Sequence, residues 1–210
     1  YSIPGAVKLA AFLASGKAAA FKPVAVTKDD VAFLQYTGGT TGVSKGATLT
    51  HGNVASNLAQ VRSFQSEVLK QAANPCMVTA LPLYHIYALT CCCLYMAAQG
   101  GKCLLVANPR DIPGFIKLLK TSRFTMTSGV NTLYNALTNH PEFKDIDWKK
   151  LDFASAGGMA TQQAVAKRWK ELTGKPIIEG YGLSETAPVV TVNRHDIADF
   201  SGTIGYPVPS

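Results

Sequence analysis

The rhythm of apolar and polar positions changes near residue 76. Downstream, short and nearly continuous apolar runs alternate with stretches that repeat apolar residues every three or four positions. "CMVTALPL" is followed by the helix-like "HIYALTCCCLYMAAQG", and "GKCLLVA" by "DIPGFIKLLKTS". "FTMTSGV" leads into "NTLYNALTNH", "LDFASAGG" into "TQQAVAKRWKELTG", and "KPIIEGYG" closes the series. Such an order predicts an α/β fold, a largely parallel sheet with helices on both faces and right-handed crossovers.

Upstream the pattern differs. Val31–Tyr36 and Gly46–Leu49 alternate as strands around "TGGTTGVSKG", and a helix is predicted from Asn53 to about Leu69, ended by "NP". Glycines let backbone N–H groups approach an anion, hydroxyls add donors and a lysine adds charge. The familiar phosphate loop G-x-x-x-x-G-K-[ST] is not matched, because Ser44 precedes Lys45 and Gly46 follows it. The prediction is a strand–loop–strand cradle, and from composition alone a phosphate site and a glycine-rich surface loop are equally good readings. The opening "YSIPGAVKLAAFLASGKAA" predicts a short amphipathic helix started by Ser2 and Pro4, without the basic start of a secretory signal. The thirteen-residue apolar run Ile86–Ala98 is too short to cross a bilayer and predicts a buried helix.

Composition sharpens this picture only a little. With 47% apolar and 16% charged residues, 210 residues form a globular unit with a sizeable core. Twenty basic against thirteen acidic residues leave +7, which suits anionic small molecules. The basic residues near 144–150 and 167–170 read as solvated helix faces, and no basic–aromatic interleaving suggests nucleic acid. The five cysteines form no C-x-x-C pair, and three adjacent ones on a helix diverge by about 100°, so they read as small hydrophobes in a reducing compartment.

Polar and glycine residues gather where strands end: Tyr84 and His85, Asn108 to Arg110, Ser128 and Gly129, Gly157 and Gly158, then Tyr181, Gly182, Ser184 and Glu185. Ligands of open parallel α/β sheets bind at that edge. Glu185 could hold magnesium against phosphate oxygens, although a first-turn glutamate at a helix start is the commoner explanation. "GLSET" lacks the second glycine of a hydrolase elbow, so Ser184 reads as a donor rather than a nucleophile. Tyr181 offers a face for a purine or forms core rim. His85 could orient a carboxylate or be a buried histidine satisfied by backbone. Trp148 and Trp169 read as core.

In order, "YTGGTTGVSKGA", "LPLYHIYAL", "SAGGM", "EGYGLSETAP" and "GTIGYPVPS" resemble the adenylate-forming (AMP-binding) family, and the segments between them resemble its bacterial long-chain fatty-acid–CoA ligases. The resemblance runs from about residue 28 to the end. It implies that 1–27 are a helix and linker, and that 28–210 are the central part of the large N-terminal domain of a protein more than twice as long. Thr37, Gly38, Gly39, Thr40, Thr41, Gly42, Ser44 and Lys45 would then grip the β and γ phosphates of ATP. Gly157, Gly158 and Met159 would line adenine and the start of the acyl pocket. Tyr181 would stack on adenine with Gly182 beside the nucleotide, Ser184 would contact the α-phosphate, and Glu185 would hold Mg2+. His85 would sit by the acyl carboxylate, with Gly129 and Val130 flanking the acyl channel. Lys45, His85, Ser184 and Glu185 are the residues this assigns to catalysis.

The implied reaction converts a fatty acid and ATP to acyl-AMP, then passes the acyl group to coenzyme A. It implies a cytoplasmic enzyme working at or near the inner face of the membrane. The family's ribose-binding aspartate, hinge and C-terminal lysine would lie beyond Ser210, so the fragment itself is expected to be inactive, with exposed faces prone to self-association. The alternatives are a ligase for another carboxylic acid and a nucleotide-binding module without turnover.

Overall fold

A computed structural model describes residues 4–18, 21–37, 44–65 and 74–209. The hairpin comes first: β1 (Val31–Thr37) and β2 (Lys45–Thr50) pair antiparallel, with Phe33 opposite Leu49 and Thr37 opposite Lys45. The two expected strands are therefore present, and Gly38–Val43 between them lie outside the described residues. Alternation decides what the hairpin buries: Phe33, Ala47 and Leu49 pack inward, while Leu34 and Tyr36 face outward and are exposed.

Helix α2 (His51–Phe64) follows without a break, two residues before the predicted Asn53 start. Thr50 caps it by accepting from the Asn53 N–H at 3.2 Å, and the Asn53 side chain accepts from the Thr50 N–H at 3.0 Å. The expected continuation to Leu69 falls partly outside the described residues.

The main sheet has seven strands in the order β4-β3-β5-β6-β7-β8-β9. β3 (Cys76–Thr79), β4 (Lys102–Leu105), β5 (Met126–Gly129), β6 (Phe153–Ala156) and β7 (Ile178–Gly182) are parallel, as predicted. β8 (Val189–Val192) and β9 (Tyr206–Pro207) extend the sheet antiparallel and were not foreseen. The chain reverses its direction of growth at β3, which has β4 on one side and β5 on the other.

Each strand feeds both faces, because successive side chains alternate. Val78, Ala154 and Ile177 point to one core with α4 (Ile112–Thr121), α5 (Asn131–Asn139) and α6 (Gln163–Thr173). Met77, Phe153 and Ile178 point to the other, with Val61 of α2 and Cys92, Tyr95 and Met96. Asp111 caps α4 by accepting from the Gly114 N–H at 3.0 Å. Gly174, at φ 75°, closes α6, where its N–H donates to the Lys170 carbonyl.

Two expectations need correction. The buried helix of residues 86–98 is present, but Ala88–Leu94 is a π-helix that runs into the short α3 (Tyr95–Ala98). The run is apolar all round, so its sequence announced a helix without announcing the wider turn. At the start, α1 (Leu9–Ala18) begins five residues after Pro4, and Leu9, Phe12 and Leu13 are all exposed, so no amphipathic face is packed. Ser2 lies outside the described residues. Among the described residues no helix is long and apolar enough to cross a membrane.

Candidate active site

A cavity of about 400 Å³ opens at the C-terminal edge of the sheet, between β6, β7, the π-helix, α2 and the end of the hairpin. Its floor is mostly apolar, formed by Val61, Met77, Ile86, Cys91, Phe153, Ile178 and Val192, with the buried Gln65 also lining it. Its rim carries Thr37, His85, Gly157, Gly158, Tyr181, Gly182, Ser184 and Glu185. Distant parts of the chain thus place a hydroxyl from the neck of the glycine loop and a carboxylate from beyond β7 on the same opening.

Local structure explains how each group arrives there. β7 pairs with β8 through Gly182 opposite Val189, with a register shift at Tyr181/Gly182. A Cβ on Gly182 would stand 2.2 Å from the Pro188 carbonyl oxygen, so the two backbones meet this closely only with glycine. A single 3-10 turn, Ser184–Thr186, then projects Glu185 outward. The Leu183 N–H donates to Thr186 Oγ1 at 3.0 Å and the Thr186 N–H returns to the Leu183 carbonyl at 3.1 Å, so the turn holds without the glutamate carboxylate. Gly182→Ala is expected to push β7 from β8, cost about 2 kcal/mol and displace Ser184 and Glu185. A chemical-denaturation midpoint equal to that of the unaltered chain would contradict this.

His85 is exposed at the end of the loop after β3, and its Nδ1 accepts from the Tyr87 N–H at 3.2 Å. In a neutral imidazole the proton is then on Nε2, which makes that nitrogen a donor. The histidine is satisfied by backbone, as the commoner reading had it, but it is not buried. Gln35 of β1 donates to the Tyr84 carbonyl at 2.9 Å and ties the hairpin to this loop. Tyr181, at 44% exposure, presents its ring at the rim rather than in the core.

Several predicted residues stand elsewhere. Ser44 and Lys45 are exposed and do not line the cavity, although β2 runs beside the Ser184–Thr186 turn. Met159 is 48% exposed outside it. Gly129 and Val130 do not line it either: Gly129 is buried, and a Cβ there would meet Leu133 at 3.2 Å and the Tyr134 ring at 3.2 Å. Close packing of β5 on α5 accounts for the glycine at 129, and Val130, half-buried, follows it at the start of α5. Asn108 to Arg110 follow the edge strand β4 and stand away from the opening. Gly38, Gly39, Thr40, Thr41 and Gly42 lie outside the described residues.

The sequence reading missed Tyr87, Cys91 and Ser155, which also line the cavity. Tyr87 and Ser155 each lie two positions from a predicted residue, His85 and Gly157, and on β6 that spacing puts Ser155 on the same side as Gly157. Burial raises both the Tyr87 phenol and the Cys91 thiol far above their usual ranges, so each stays protonated and Cys91 serves as wall, not nucleophile. Burial likewise pushes Cys92 up to about 12.

The profile of the family described as AMP-binding enzyme matches residues 4–210. The chain belongs to the AMP-binding enzyme family. It is 50% identical over all 210 residues to a long-chain-fatty-acid–CoA ligase of Yersinia pestis, of which it spans 37%. Among solved structures, ATP-bound MatB from Rhodopseudomonas palustris is similar with a TM-score of 0.75 at 28% identity, over 90% of this chain and 36% of that one. A malonyl-CoA ligase complex with methylmalonyl-CoA and AMP gives 0.77 at 27% identity, over 91% of this chain and 41% of that one. The mostly parallel sheet with its helices is thus part of a larger fold shared with these proteins.

Proposed function

We propose that the complete protein bearing this chain is an acid–thiol ligase that joins a long-chain fatty acid to coenzyme A at the expense of ATP. The observation that carries this reading is that Thr37 and Glu185 line one cavity whose floor is mostly apolar. A carboxylate cannot settle on that floor, because an unpaired charge there would be heavily penalised. The acid end therefore stays at the rim near His85 Nε2 and the Gly157–Gly158 backbone, while the chain enters the floor. The triphosphate spans from Thr37 and the glycine loop to Ser184 and Glu185, with Lys45 at the base of that loop and Tyr181 and Gly182 beside the base and sugar.

In the first step a carboxylate oxygen bonds to the α-phosphorus, the bond to pyrophosphate breaks, and acyl-AMP remains. In the second the thiol sulfur of coenzyme A bonds to the acyl carbon, the thiol proton is lost and AMP leaves. A carboxylate is a weak nucleophile, so alignment and charge neutralisation supply most of the acceleration. Magnesium fits the donor set, since it accepts one carboxylate with the rest of its shell from phosphates and water, and Glu185 offers one exposed carboxylate. When bound, it would neutralise phosphate charge.

The support for a fatty acid, rather than another acid, is the apolar floor together with the 50% identity to a ligase of that name. The test is acyl-CoA formation by the complete ligase with acids from short to long and with aryl acids. Rates rising with chain length are expected, and a maximum with short or aryl acids would overturn the fatty-acid assignment. Pyrophosphate release should require the complete ligase and be absent from the isolated 210 residues. Peripheral contact with a membrane goes with this reading through the substrate's insolubility, and a cytoplasmic location through the ATP and coenzyme A that the reaction consumes.

A further inference from the structure

One part of the cavity is not explained by an unsubstituted hydrocarbon chain. Amid the apolar floor, the hydroxyls of Tyr87, Ser128 and Ser155 close a ring. Ser128 Oγ donates to the Tyr87 hydroxyl at 2.7 Å, Ser155 Oγ donates to Ser128 Oγ at 3.1 Å, and the Tyr87 and Ser155 hydroxyl oxygens stand 3.4 Å apart. The Ser155 carbonyl accepts from the Tyr134 hydroxyl at 2.6 Å. Tyr87 and Ser155 face the cavity, whereas Ser128 is 1% exposed and does not line it.

Three protons serve three hydrogen bonds in this ring, and each oxygen has two lone pairs, so each keeps one acceptor position unused. An incoming O–H can therefore be accepted without breaking any bond already made. A methylene group gains nothing there, and it leaves hydroxyls facing hydrocarbon. The ring is also held rigidly. A Cβ on Gly157 would meet the Tyr87 ring at 3.3 Å, so the absence of a side chain at 157 leaves room for the phenol beside that backbone. Ser155 lies two residues before Gly157 on β6, about 6.6 Å deeper along the strand.

We propose that Tyr87, Ser128 and Ser155 form a subsite for a hydroxyl carried on the acyl chain a few carbons from its carboxyl end, so that the site favours hydroxylated aliphatic acids over unsubstituted ones. This rests on the proposed acid–thiol ligase reading and narrows its substrate class. One neutral hydrogen bond of this kind corresponds to a preference of roughly three- to tenfold in kcat/KM. Discrimination stays modest because the ring satisfies itself when the substrate offers no donor.

The test compares the complete ligase on pairs of acids of equal length, plain and singly hydroxylated at successive positions from the carboxyl end. A three- to tenfold higher kcat/KM for one or two hydroxyl positions is expected, and this ratio should fall to near one in Tyr87→Phe and in Ser155→Ala. Reading the ratio within each variant separates recognition from any general loss of activity or folding. A ratio at or below one at every position in the unaltered enzyme overturns the proposal, as does a ratio that neither variant changes. Turnover of the plain long-chain acid is read in the same assay, so the ligase assignment stands or falls separately.

Discussion

Glu185→Gln in the complete ligase lowers acyl-adenylate formation by about a hundred- to a thousandfold, the range seen when one group that stabilises developing charge is removed, ~2.7–4 kcal/mol. Glutamine keeps the size and the rim position but takes away the negative charge that would face a metal–phosphate complex. The turn that carries the residue is fixed by Thr186 and by the close approach of Gly182 to Pro188, not by the carboxylate. Thermal stability is therefore expected to stay within a degree or two. Fatty-acid-dependent exchange of pyrophosphate into ATP measures the loss directly. A rate within tenfold of the unaltered enzyme would mean that Glu185 merely starts a short turn, which was the simpler reading of its sequence.

The largest effect on stability belongs to Trp169. It is 1% exposed and packs edge-on against Tyr134 at 4.7 Å and Trp148 at 5.2 Å, with Phe143 at 5.6 Å. Trp169→Ala would leave a void between α6 and its neighbours at a cost of about 3–5 kcal/mol. Trp169→Phe is expected to cost clearly less than its lost volume suggests. The buried indole N–H has no hydrogen-bond partner among the described residues, so removing it relieves a penalty of about 1–3 kcal/mol. Denaturant midpoints at unchanged slope would rank the three proteins. A Phe variant as unstable as the Ala variant would show that the orphaned donor carries no penalty.

The parallel strands were readable because short apolar runs alternate with helical stretches, and some of the boundaries carry clear signals, such as Asp111 before α4 and Gly174 after α6. β8 and β9 were not, because no helical stretch follows "VVTV" to mark it as one unit of the alternation, and "YP" is only two residues long. The rim was legible for a related reason: in a parallel sheet, residues just past strand ends share an edge, and His85, Gly157, Tyr181 and Glu185 line one opening there. Gly129 obeys the same rule yet is consumed by packing against Tyr134, and strand-end position cannot tell these two uses of glycine apart. The cavity floor was illegible since Val61, Cys91 and Phe153 look like any other core residue until helix and strand are docked.

The π-helix at Ala88–Leu94 has a bearing on how such a chamber can change over evolution. Its i→i+5 bonding accommodates more residues per turn than an α-helix. Dropping one amino acid there would let the coil tighten to an α-helix while its two ends, and with them β3 and β4, keep their orientation, so that only the side chains within the turn are re-aimed. Cys91 would leave the wall and a neighbour would take its place. Chamber shape can thus be retuned by a change in length alone, with no new residue type introduced.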